Sequence, residues 1–446
     1  MNIREFQKIV IEKARKKGFS DCEVYYQKGS SFQICVSGGE VEQYETSVCS
    51  GAAFRGVING KTGFAYTERF DEYAAEFVIN AAVENAEIAE GKTDEIFFEG
   101  EEYKQLKLYN EELDKISSEE KIKCAKDTEK AAVEYSDKVR AVDRCIYADE
   151  NAEVRIMNTK GLDAGYVSNS MLTYVSVIGA ENDDIKTGGD FFCGNDFFKL
   201  NTKKLGEKAA DETIKHLGAK SVKSGIYKAV IKNNAMADIL ATFSDSFSAE
   251  QMDKGLSMLA GKENSRIASE CVTIRDDGLL EGGYASAVFD GEGVPCENTV
   301  VVENGVLKTF LYDLKYAGKY GKKSTGNGFR AGFKSPVSVG CTNFYIDNGK
   351  KSFDTVVKDT GNGILITDVT GLHAGANPVS GDFSLSAEGF LIENGEITRP
   401  VEQITVAGNF FKLLNEIKET SDDLRFGMSG IGSPSVSVEN VNISGL

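Results

Sequence analysis

The chain is 446 residues long, 41% hydrophobic and 27% charged, with a net charge of −18, five prolines, nine cysteines and two histidines. At a prior of about 150 residues per domain, that length asks for two or three cores rather than one. The acidity argues against a nucleic-acid partner, which needs a basic patch, and no run nears the roughly 18 apolar residues of a membrane span.

The opening stretch MNIREFQKIVIEKARKKG reads as an amphipathic helix over 3–17, charged throughout where a signal peptide would be apolar. The cysteines are scattered, none in a C-x-x-C pair, which predicts reduced, buried thiols and a cytoplasmic protein. Short alternating segments follow at 22–28, 31–37, 40–46, 49–58 and 62–67, with Asn59-Gly60 marking a two-residue hairpin. A helix is predicted over about 71–90, with Phe77, Ala81, Val83 and Ile88 supplying much of its apolar content. Another starts near Ser117, where Glu120 completes a capping box. Strands are predicted at 139–147, 152–158 and 164–192, then a helix over about 202–217 ending at Gly218.

The small, polar, basic run 219–225 is the predicted boundary between an N-terminal domain, 1–220, and a C-terminal domain, 221–446. All five prolines lie beyond residue 294, a sign of two differently built halves. After a strand at 226–232, Asn233 or Asn234 is placed to cap a helix through Phe243. Glu-Asn-Gly hairpins are predicted around Asn304-Gly305 and Asn394-Gly395, with a similar turn at Asn348-Gly349. A helix near 410–417 and a strand at 435–443 close the chain. The predicted class is α+β: a two-layer α/β-sheet domain, then a β-rich domain resembling a barrel or a sandwich.

Five segments occur in one order and spacing: Phe289-Asp290-Gly291-Glu292-Gly293-Val294, the Glu-Asn-Gly hairpin after it, Lys323-Ser324-Thr325-Gly326-Asn327, Ser380-Gly381-Asp382-Phe383-Ser384 and Ile404-Thr405-Val406-Ala407-Gly408-Asn409. The series resembles the TldD/PmbA family, once called modulators of DNA gyrase, across the whole C-terminal domain. The N-terminal half matches only in length, opening helix and strand-rich sequel. The Gly-Asp-Phe-Ser and Ala-Gly-Asn segments are most similar to the PmbA, or TldE, branch.

That resemblance implies a two-component cytoplasmic zinc metalloprotease acting on unfolded or short peptides. The TldD-type subunit carries a His-Glu-x-x-x-His helix and a later cysteine that hold zinc, and the PmbA-type subunit completes a closed chamber. In the place of the zinc helix this chain reads Asn233-Asn234-Ala235-Met236-Ala237-Asp238-Ile239, and in the place of the cysteine Gly427-Met428-Ser429-Gly430. The resemblance therefore implies a subunit with no catalytic, metal or cofactor residue of its own, partnered by a TldD-type chain that carries the zinc. The rival function is a stand-alone homodimeric peptide-binding or regulatory protein.

The residues themselves offer two further readings. His373, Ser380 and Asp382 lie within ten residues, a conceivable hydrolase triad, yet no Gly-x-Ser-x-Gly elbow accompanies them, and Ser and Asp commonly serve turn backbone. His216 is expected to be solvated or to serve a helix C-terminus. The run 321–328 lacks the phosphate-loop order and is predicted to be a mobile loop, and Asp276-Asp277 and Asp183-Asp184 are predicted turn residues. An extended peptide needs strand edges, close-approach glycines and short polar side chains. Thr325, Gly326, Asn327, Asn377, Ser380, Asp382 and Glu388 are the candidates for lining a peptide cavity or a partner interface.

Overall fold

The computed structural model describes residues 1–93 and 95–446. Six antiparallel strands build the N-terminal sheet: β1 (Asp21–Ser37), β2 (Glu40–Ile58), β3 (Lys61–Thr67), β4 (Val139–Asn158), β5 (Asp163–Glu181) and β6 (Asp184–Gly194), in the order β3-β2-β1-β4-β5-β6. Four of these strands run 17 to 20 residues each, so the short segments predicted at 31–37, 40–46 and 152–158 are parts of longer strands. Their polar stretches hide the continuity, because a long strand whose end faces water loses its apolar alternation there. The Asn59-Gly60 turn forms as expected, with φ of +53° and +71°.

Alternation along β1 sorts the two faces. Cys22, Val24, Ile34 and Val36 point to the helices, while Glu23 and Tyr25 point away from them toward the C-terminal domain. The helices Ile3–Lys17 and Glu72–Ile88 cover one end of the first face, and Ser118–Val133 and Thr202–Lys215 cover the other. The capping box at Ser117 and Glu120 is present. On Glu72–Ile88 the buried face is Ala74, Ala75, Val78, Ile79, Ala82 and Ala86, whereas Phe77 and Ile88 are exposed. Small residues let this helix lie close to the sheet, which inverts the face expected from side-chain size.

The C-terminal domain is organised by a five-stranded barrel. Gly225–Ile231, Gly363–Thr370, Asp382–Glu393, Glu396–Asn409 and Val436–Ser444 pair in a ring that closes between the last two. Closure removes free sheet edges, and it settles the barrel-or-sandwich alternative for the barrel. Ala229, Ile366, Leu385, Val406 and Val438 fill its core together with Met236, Leu240 and Phe243 of the helix Asn233–Phe243. That helix begins after Lys232 with no side-chain cap, so neither Asn233 nor Asn234 caps it. A second sheet of short strands, Ile274–Asp277 to Ile431–Ser433, packs on the same core.

Both hairpins at Asn304-Gly305 and Asn394-Gly395 form, with the asparagines at φ +47° and +54°. Asn348-Gly349 is a connecting loop instead, pinned where the Gly349 N–H donates to the Ser421 carbonyl. Asp276 and Asp277 lie buried in a strand rather than a turn.

Candidate functional site

Where the domains meet, a cavity of about 480 Å³ opens between the edge strand β6, the end of the helix Thr202–Lys215, the helix Asn233–Phe243 and the segment 425–428. Asn234 and Asp238 stand one turn apart on the helix, on one face, and both line the cavity. Gly427 and Met428 line it as well, so two places far apart in the sequence are brought to one cavity.

The floor comes from the barrel. Asp368 and Glu388 are cross-strand partners immediately after a β-bulge, and a bulge re-aims side chains where it occurs. Gly389 permits it: a Cβ there would stand 1.8 Å from the Leu365 carbonyl oxygen. Burial, then Glu388, then Asp238 push the Asp368 carboxyl up to about 7. Burial raises Glu388 and Asp238 in the same direction. Among the described residues, none of the three makes an ion pair, and the Asp368 carboxyl accepts from the Val369 N–H.

The cations of the cavity are all engaged elsewhere. Lys232 pairs with Glu212 at 2.9 Å, Lys208 with Asp190 at 2.7 Å, and Arg425 with Asp190 as well. Although burial pushes Asp190 up, Arg425 and Lys208 outweigh it and hold the carboxyl low. His216, at the C-cap of its helix, is 7% exposed rather than solvated. Its Nε2 lies 3.3 Å from Thr367 Oγ1, its ring packs tilted at 50° against Phe390 with centroids 4.7 Å apart, and burial pushes its pKa down to about 4. The imidazole is therefore neutral near pH 7.

The predicted site residues fall into three places. Glu388 lies in this cavity. Gly326 and Asn327 line a second one of about 290 Å³, between β1, β4 and β5 and the C-terminal domain, and Thr325 sits beside them. There the Tyr312 N–H donates to Thr325 Oγ1, whose hydroxyl donates to Asn327 Oδ1 at 2.6 Å, while Asn327 Nδ2 donates to Asp276 Oδ2. Asn327 is 2% exposed, so this part of 321–328 is fixed packing and not a mobile loop. Asp290 stitches the neighbouring turn by accepting from the N–H groups of Glu292, Val294 and Gly328.

Asn377, Ser380 and Asp382 form an exposed turn. Asn377 Oδ1 accepts from the N–H groups of Val379 and Ser380, Ser380 Oγ donates to Asp382 Oδ2 at 2.9 Å, and Asn409 Nδ2 donates to Asp382 Oδ1. These bonds, Asn409 first and then Ser380, hold the Asp382 carboxyl low. His373 donates to neither and is exposed on a short helix, so no triad is assembled.

Zinc does not fit the large cavity. Its helix offers an amide and one carboxylate where two imidazoles would be needed, and no thiolate faces it. Among the described residues, no group of three or more His, Cys, Asp or Glu side chains is placed to hold a metal ion. A larger groove of about 660 Å³ lies over the end of the N-terminal sheet, but its Asp149 is already paired with Lys121 and its Glu150 accepts from Ser170.

The architecture is α+β, with a closed five-stranded barrel and a cavity beside the first barrel helix, and comparison with known proteins places it in a family. The descriptions PmbA/TldA metallopeptidase domain 1, central domain and C-terminal domain match residues 22–87, 111–217 and 224–445. The chain belongs to the PmbA/TldD metallopeptidase family. It is 31% identical over 433 residues to an uncharacterised protein of Methanocaldococcus jannaschii, covering 93% of this chain and 94% of that one. It is 25% identical to a metalloprotease PmbA homolog of Haemophilus influenzae, covering 99% and 96%. A crystal structure of a putative modulator of DNA gyrase from Thermotoga maritima superposes with a TM-score of 0.93 at 33% identity, covering 99% of this chain and 100% of that one. TldE from Thermococcus kodakarensis gives 0.91 at 25% identity, covering 98% and 100%.

Asp368 is a cavity residue that the sequence does not single out, its local signal being a charged residue at the end of the apolar run ILIT; Asn234 and Asp238 are marked only as standing in the place of the zinc helix, and His216 only as a solvated or helix-terminal residue.

Proposed function

We propose that this chain is the non-catalytic, PmbA/TldE-type subunit of a two-component cytoplasmic zinc metalloprotease, acting with a TldD-type subunit on unfolded or extended peptides. The observation that carries the reading is the interdomain cavity. The helix and the C-terminal segment that the family resemblance ties to zinc converge there, and neither supplies a metal-ligating pair. The chain's own residues bind and orient rather than cleave. β6 is an edge strand bordering the cavity, and Gly188 and Gly189 open its wall, so an extended peptide can add to it through backbone hydrogen bonds. The candidate residues around Thr325–Asn327 and Asn377–Asp382 belong to this proposal as interface or chamber-wall segments, and Glu388 as a cavity residue.

The test is to purify this chain alone and with a TldD-type chain carrying the His-Glu-x-x-x-His helix, then assay unfolded-peptide cleavage and zinc content. Cleavage and zinc are expected only when the partner is present. Cleavage with stoichiometric zinc in the lone chain would sink the proposal. Equal activity of the TldD-type chain with and without this one would favour a stand-alone regulatory protein.

A further inference from the structure

Among the described residues, the buried side-chain atoms of the interdomain cavity left without a hydrogen-bond partner are Asn234 Oδ1 and His216 Nδ1. Asp238, Asp368 and Glu388 carry carboxylates with no cationic partner among the described residues. Lys186, the cation that acts most on Glu388, is already paired with Asp184 and with Glu402 at 2.8 Å. Asn234 spends its amide donor on the Thr367 carbonyl at 2.8 Å, which leaves its buried Oδ1 with no partner.

His216 completes the set. With the Thr367 hydroxyl donating to the Glu388 carbonyl at 3.3 Å, the same oxygen is free to accept from His216 Nε2–H, 3.3 Å away. That assignment leaves Nδ1 as a bare lone pair, and Nδ1 has no partner although the side chain is more than nine-tenths buried. Buried acceptors without donors cost free energy. Two like charges in register across adjacent strands add to that cost. Such an arrangement is retained at sites that receive a donor.

We propose that this cavity is the receptor for an ammonium group of a peptide, its α-amine or a lysine side chain, held by Asp238, Asp368 and Glu388 with Asn234 Oδ1 and His216 Nδ1 as neutral acceptors. An ammonium brings three donors and one positive charge, and no acceptor of its own. It satisfies what the cavity lacks and relieves the repulsion between Asp368 and Glu388. A carboxylate or phosphate would meet groups of like charge. This inference rests on the peptide-handling reading above and names which end or side chain of the peptide the subunit grips.

The test is isothermal titration calorimetry on the purified full chain with three probes: a neutral pentapeptide with a free α-amine, its N-acetylated form, and an N-acetylated form with a central lysine. At least one ammonium-bearing probe is expected to bind about tenfold or more tighter than the acetylated neutral one. Preference for the first assigns the α-amine, and preference for the third assigns lysine. Asp368→Asn combined with Glu388→Gln is expected to erase the difference, with thermal melting confirming that the variant is folded. Equal affinity for all three probes, absence of binding, or a preference that survives in the double variant would overturn the proposal. Cleavage of any probe by the lone chain would instead overturn the non-catalytic reading, leaving the amine preference separately measurable.

Discussion

Asp368 and Glu388 face each other directly across two antiparallel barrel strands, one residue past a β-bulge, with no cation between them. Like charges in register are destabilising in a sheet. Burial adds to the cost, since it disfavours the charged form of both carboxyls.

Replacing Asp368 by Asn should therefore stabilise the protein at alkaline pH. The folded carboxyl is raised from 3.8 to about 7, so the folded state holds more protons than the unfolded chain between those values. Stability falls as pH rises through that window and stays low above it. Asp368→Asn is expected to gain roughly 2 kcal/mol at pH 8, discounted for solvent in the cavity, and almost nothing at pH 4. Urea unfolding at the two pH values measures the difference. A gain of the same size at both would refute the titration argument.

His216 predicts the opposite slope. Its folded pKa is pushed down by burial to about 4 from 6.5, so the unfolded chain takes up the proton first as pH falls. The stability it contributes is complete above pH 6.5 and is lost on the way down to about 4, up to roughly 3 kcal/mol. His216→Gln should flatten this part of the profile. Direct NMR titration of the ring should find it still neutral at pH 5.5.

The second domain contact is a buried ion pair. Arg330 Nη2 donates to Glu23 Oε1 at 2.7 Å, with both side chains 1% exposed, and Arg55 joins Glu23 to Glu292. Arg330→Met leaves a buried carboxylate short of a partner and should cost about 3–5 kcal/mol. Adding Glu23→Gln should recover part of the loss in a double-mutant cycle of chemical unfolding. Strict additivity of the two would show that the pair is uncoupled.

Ser380→Ala tests the hydrolase alternative. Ser380 Oγ serves the exposed turn, donating to Asp382 and accepting from its N–H. Its removal should cost less than about 1 kcal/mol and leave peptide turnover by the assembled enzyme unchanged. A hundredfold fall in turnover in a folded variant would revive a serine nucleophile.

Local rules were enough wherever a residue's neighbours in sequence decide its conformation. Asn59-Gly60, Asn304-Gly305 and Asn394-Gly395 turn as their φ preference demands, and Ser117 with Glu120 caps its helix. Asn348-Gly349 did not, because its loop is held by Ser421, more than seventy residues away, rather than by a partner strand beside it. The buried face of Glu72–Ile88 is likewise set by tertiary contact: the close approach of helix to sheet selects alanines, while Phe77 stays exposed.

Glu388 was legible as a candidate, and its companions were not. What the sequence by itself determined was the order of signature segments, the α+β class and the absence of histidine and cysteine from the helix after the first barrel strand. Those are properties of residues and their near neighbours. Only the closed barrel and the domain contact brought Asp238, Asp368, Glu388 and His216 around one cavity. The meeting of Asp238 and His216 with Asp368 and Glu388 comes from pairing of barrel strands more than a hundred residues apart, Ile231 beside Ile366, and no local preference encodes a contact made at that separation.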